Sequence, residues 1–150
     1  MAMDEVRDTK GHIIVGVDGS ETSMIALRWA AKLAPTLGGN IVAVIAWDYP
    51  ARPGWEGEIP DWWRPDEDAI KILDETLDSV FGKNRPVGLV TSVQQGRPTP
   101  ILIEASKDAD MLIIGSRGLG GFAGMLLGSV SSSCAEHAHC PVLVVHGDAE

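Results

Sequence analysis

Five short runs without Asp, Glu, Lys or Arg, strung between helix-periodic stretches, constrain this chain more than anything else in it. They are His12-Ile13-Ile14-Val15-Gly16-Val17, Ile41-Val42-Ala43-Val44-Ile45-Ala46, Gly88-Leu89-Val90-Thr91-Ser92-Val93, Met111-Leu112-Ile113-Ile114 and Pro141-Val142-Leu143-Val144-Val145. A run that is apolar on both faces is the signature of a strand covered from both sides, as in a parallel sheet. The run at 88–93 is more polar and suits an edge. Between the strands, Ala26, Leu27, Ala30, Leu33, Ala34 and Leu37 recur at three and four residues until Gly38-Gly39 stops them. Ile70, Leu73, Leu77 and Val80 repeat in the same way before Gly82. Such stripes predict amphipathic helices ended by glycine. A shorter helix is expected from Pro98 or Pro100, where a missing amide hydrogen costs least, and a last one from about Ser129. Strands alternating with helices imply right-handed crossovers and a parallel α/β sheet with helices on both faces. The 150 residues suit one domain, expected over 11–147 after a flexible polar segment at 1–10.

In open parallel sheets, ligands lie beyond the carboxyl ends of strands where the winding reverses. Two strand ends here carry suggestive chemistry. The first ends in Val17-Asp18-Gly19-Ser20, which puts a carboxylate at the rim and a helix N-cap, Ser20, just after it. The fourth ends in Gly115-Ser116-Arg117-Gly118, and its loop returns through Gly128-Ser129 into a helix. Glycines let backbone approach an anion closely, and a helix N-terminus adds unpaired amides with partial positive charge. Ser129, Ser131 and Ser132 offer hydroxyl donors, and Asp18 can accept from ribose hydroxyls. The plainer alternative is a flexible glycine loop and a helix capped by Ser129.

Charge narrows the classes. With 12 basic and 21 acidic residues the formal net charge is −9, which argues against a nucleic-acid reader. Acids crowd the middle of the chain, whereas Met111 to Leu127 carries only Arg117, the least repulsive place for an anion. No stretch approaches the roughly 18 apolar residues of a membrane span, and nothing resembles a signal peptide, so a cytoplasmic location is expected. Two cysteines, Cys134 and Cys140, make no disulfide scaffold. With His137 and His139 they raise a metal site, but Cys134 and His137 are expected on one helix face and the other two in the following turn. No metal ligand is assigned, and Cys134 reads as an apolar filler. Gly118-Leu119-Gly120-Gly121-Phe122-Ala123 fits a dinucleotide pattern, yet it does not join strand directly to helix and lacks the acid about 20 residues on. No Walker lysine follows any glycine loop.

The blocks around these glycines, taken together, are more specific. Gly115-x2-Gly118-x9-Gly128-Ser129 resembles the nucleotide-binding signature of the universal stress protein family. Ile13 to Ser20, Gln95-Gly96-Arg97-Pro98 and His137 to Val145 resemble its first strand and turn, its third-helix start and its closing segment. The resemblance implies a Rossmann-like five-stranded parallel sheet ordered 3-2-1-4-5, with ATP between strands one and four. It places Gly16, Val17 and Asp18 beside adenine and ribose, Ala46 against the base, and Ile114 and Gly115 on the ribose side. Gly118, Gly128, Ser129 and Val130 would hold the phosphates, with Ser131 nearby and any Mg2+ held mainly by the phosphates. A homodimer through Val142–Val145 is also implied. The function expected is that of an ATP-binding sensor or regulatory module in stress response, with no catalytic residue assigned. Three alternatives stay open: a slow ATPase or phosphoryl transferase using the same residues, a cyclic AMP binder, and a ligand-free dimerisation module. The loop from Trp47 to Pro65, with Trp55, Trp62 and Trp63, is no part of the signature and reads as a lid, a partner surface or simple packing over the sheet edge.

Overall fold

A computed structural model describes residues 12–49, 60–118 and 127–147. The segment 1–10, Trp55 with most of its loop, and the apolar insert from Phe122 to Leu126 lie outside the described residues, as does most of the dinucleotide-like stretch. The strands are β1 (His12–Gly16), β2 (Asn40–Trp47), β3 (Leu89–Gln95), β4 (Met111–Gly115) and β5 (Val142–Val145). The helices are α1 (Glu21–Leu37), α2 (Pro65–Phe81), α3 (Pro98–Ser106) and α4 (Ser129–His137). All strand pairs are parallel, in the order β3-β2-β1-β4-β5, so the expected sheet and its polar edge strand are both found.

Alternation along each strand sorts the side chains between two layers. Ile13, Val15, Ile41, Ala43, Ile45 and Ile113 face α1 and α2, where Leu27, Leu73 and Leu77 are buried with them. Ile14, Val44, Leu112 and Ile114 face α3 and α4, with Leu102 and Cys134. Local chemistry sets the helix ends. The Ser20 hydroxyl caps α1 by accepting the Ser23 N–H, and Gly38 closes it with φ 104°. Three acids, Asp66, Glu67 and Asp68, occupy the first turn of α2, where they complement the helix dipole. One detail of the sequence reading fails: Ile70 is 47% exposed, and α2 turns Ala69, Leu73, Thr76 and Leu77 inward instead. The two stripes differ by one position, and Ala69 takes the core place expected of Ile70. No described helix is long and apolar enough to cross a membrane.

Candidate functional site

The β1 and β4 carboxyl ends are neighbours because those strands pair directly, Ile13 against Met111 through Val15 against Ile113. Beyond β1 the chain makes a tight turn in which Asp18 Oδ1 accepts the Ser20 N–H at 2.9 Å. Gly19 takes φ 85° there, a conformation that side chains disfavour. Beyond β4, the Arg117 carbonyl accepts a hydrogen bond from Thr22 Oγ1 at 2.5 Å, tying the glycine loop to the first turn of α1. The signature glycines fit this junction. A Cβ on Gly115 would lie 2.6 Å from the Thr22 Cβ, and one on Gly118 would strike the Asp18 carboxylate. Neither glycine has a positive φ, so close approach explains them and backbone conformation does not.

A cavity of about 420 Å³ opens at this rim, and every candidate named from the sequence lines it: Gly16, Val17, Asp18, Ala46, Ile114, Gly115, Gly118, Gly128, Ser129, Val130 and Ser131. The sheet and α3 supply an apolar wall through Val44, Ala46, Ile101, Leu102 and Ile114. The opposite chemistry comes from α4. Its N-cap is Gly128, with φ −75° and no side-chain cap, so Ser129 does not cap the helix. The Gly128 N–H donates to the Ser116 carbonyl at 2.6 Å, and the first intrahelical bond runs from the Ser132 N–H to the Gly128 carbonyl at 2.9 Å. The amides of Ser129, Val130 and Ser131 therefore have no intrahelical acceptor. Among the described residues, a Cβ on Gly128 would meet no atom closer than 3.5 Å, so their packing does not demand glycine there. What a side chain would take up is space in the cavity.

Ser131 plays a different part from the one expected of its hydroxyl. It is 2% exposed, and its Oγ donates to the Ser116 carbonyl at 2.8 Å, bracing the loop against α4. Sequence reasoning missed Thr22, Ile101, Leu102 and Pro98, and named Arg117 only for its charge. The helix stripe of α3 was the signal available for Ile101 and Leu102. Thr22 had none, since a threonine in the first turn of a helix is ordinary.

The remaining candidates separate. Cys134 is fully buried, and burial pushes its thiol up to about 11, while the His137 side chain, three residues on in the same helix, is 65% exposed. Among the described residues no group of three or more His, Cys, Asp or Glu is placed to hold a metal ion. Of the loop tryptophans, Trp63 stacks edge-on with Tyr49 at 5.9 Å, which meets Trp47 at 5.7 Å, whereas Trp62 is 81% exposed.

A doubly wound parallel sheet with a cavity where its winding reverses defines a class of α/β ligand-binding proteins. Within that class, residues 10–146 match the model of the universal stress protein family, and this chain belongs to it. It is 33% identical over 135 residues to universal stress protein Rv2624c of Mycobacterium tuberculosis, a match covering 89% of this chain and 47% of the relative. The chain thus spans about half the length of the curated relatives it matches. Among solved structures, UspA from Lactobacillus plantarum superposes with a TM-score of 0.73 at 22% identity, covering 91% of this chain and 97% of that one. A universal stress protein solved in complex with cAMP matches with a TM-score of 0.63 at 27% identity, covering 91% and 97%. An Arabidopsis thaliana family protein solved with AMP bound shares the fold with a TM-score of 0.58 at 18% identity, covering 92% of each chain.

Proposed function

We propose that this chain binds an adenine nucleotide, ATP foremost, in the rim cavity and acts as a sensor or regulatory module. The observation that carries the reading is one cavity shared by helix amides without an intrahelical acceptor, an apolar wall and a carboxylate. A phosphate tail suits the amides of Ser129 and Val130 and the partial positive charge of the α4 N-terminus. The base suits the wall of Val44, Ala46 and Ile114, and the ribose hydroxyls suit the Asp18 carboxylate at the rim. Such residues bind and orient; a divalent ion, where present, would be held mainly by the phosphates. Among the described residues of the lining, Asp18 and Arg117 are the charged ones and none is lysine, which favours a binding role over phosphoryl transfer. A homodimer through β5 and a cytoplasmic location complete the proposal. The first is supported by the position of β5 at the sheet's edge.

Cyclic AMP is the second reading, favoured by the relative solved with that ligand. The two differ in reach, since only ATP extends a phosphate tail along the α4 amides. Mass spectrometry of small molecules released on denaturing freshly purified protein, followed by calorimetry with ATP and cyclic AMP, tests both. Protein that releases no nucleotide and binds neither would defeat the proposal.

A further inference from the structure

We propose that Thr22 is a positioning residue: its hydroxyl sets the plane of the Arg117–Gly118 peptide and so aims the Gly118 amide at the phosphates. This rests on the nucleotide reading above. A hydroxyl carries one proton, and that of Thr22 is given to the Arg117 carbonyl. In the 3.3 Å contact between Ser20 Oγ and Thr22 Oγ1, Ser20 must therefore be the donor. Ser20 Oγ in turn accepts the Ser23 N–H at 3.3 Å. The bonds form a directed relay from the amide of Ser23 through two hydroxyls to the loop carbonyl, each polarising the next.

The relay matters because a trans peptide is planar, with its carbonyl and the following N–H pointing opposite ways. No peptide among the described residues is cis. Holding the Arg117 carbonyl toward α1 turns the Gly118 N–H away from it, toward α4. The Gly118 nitrogen lies 3.8 Å from the place a Gly128 Cβ would occupy, beside the open amides of the α4 first turn, and donates to no described backbone carbonyl. The absence of a side chain at Gly115 then has a purpose of its own. It lets Thr22 come close enough for the hydroxyl to reach the loop, so the first glycine of the signature serves the strut and the later ones serve the ligand.

The test compares Thr22→Val, which removes the hydroxyl, with Thr22→Ser, which keeps it, using ATP and adenosine as probes. Thr22→Val is expected to weaken ATP roughly tenfold while adenosine stays within about twofold, because adenosine makes no phosphate contact. Thr22→Ser is expected to restore ATP binding. The Gly118 amide resonance of ligand-free, nitrogen-15-labelled protein should shift in Thr22→Val and not in Thr22→Ser. If Thr22→Val does not fold, Thr22→Ala carries the same comparison. Equal ATP binding by parent and valine variant, proportional loss of adenosine, or no rescue by serine overturns the strut alone. A parent that binds neither probe overturns the nucleotide reading, and the strut with it.

Discussion

The two faces of the sheet are packed differently, and the difference separates stability from binding. Against α1 and α2 the layer is deep, with Ile13, Leu27, Ile41, Leu73, Leu77 and Ile113 all essentially sealed from solvent. Against α3 and α4 the layer is thinner, and among the described residues Leu112 is its one large aliphatic side chain with no exposure at all, Ile14, Leu102 and Ile114 each keeping a few per cent. At the strand ends that second face shrinks further, to Gly16 and Ala46, and there the cavity opens. A Cβ on Gly16 would already lie 3.0 Å from Leu102, so this face has no spare room below the cavity. One side of the sheet holds the molecule together while the other holds space.

The largest expected effect tests the first half of that contrast. Leu77→Ala should lower unfolding free energy by about 2–5 kcal/mol in urea titrations, the range for emptying a sealed leucine site. Leu102→Ala, beside an existing cavity, should fall near the lower end, about 2 kcal/mol, while also weakening nucleotide through the lost wall. Equal stability losses would mean that the faces are not different in kind. Gly128→Val tests the second half. It should lower ATP affinity by roughly a hundredfold, because the side chain stands where phosphate would approach the helix amides. Stability should change by only about 1 kcal/mol, since neither φ nor packing requires glycine at that N-cap. A valine variant that binds ATP like the parent would place the phosphates elsewhere.

How much of this was legible in the sequence follows the same division. Strand and helix positions came from periodicity, which reports burial directly, and the glycines at 115, 118 and 128 marked the rim because their spacing signals close approach there, of side chains at 115 and 118 and of a ligand at 128. What periodicity could not separate were stripes one residue out of phase, as with Ile70 and Ala69, where tertiary packing decides. It also could not show which hydroxyls face inward. Ser131 and Ser129 look alike in sequence, yet one is buried under the Ser116 carbonyl and the other lines open space. Thr22 was invisible because its partner is a backbone carbonyl 95 residues away, and backbone atoms carry no sequence signal.

Asp18 offers a finer cut at the binding face. Asp18→Asn keeps a side-chain oxygen for the Ser20 N–H, removes the charge and replaces the second acceptor oxygen with an amide donor. ATP should weaken by roughly tenfold as a charged acceptor for the ribose becomes neutral. Inorganic tripolyphosphate, which has no ribose, should bind no worse. If both ligands weaken together, Asp18 acts by shaping the turn and not by gripping the sugar.

The smallest expected effect lies on the thin face, at Cys134 beneath α4. Burial raises this thiol from an ordinary value of 9.0 to about 11. The unfolded chain therefore releases the proton at a lower pH than the folded chain does. Stability from this site is fully present below pH 9 and is lost as pH climbs toward 11, because the unfolded state gains the ionised form first. Between pH 7 and pH 10 the parent should lose about 1 kcal/mol more than Cys134→Ala, which has no proton to release. All other groups are common to both proteins and cancel from the difference. Urea midpoints at the two pH values measure it. Parallel losses would show that water reaches Cys134, and that the face chosen for binding is open well below its rim.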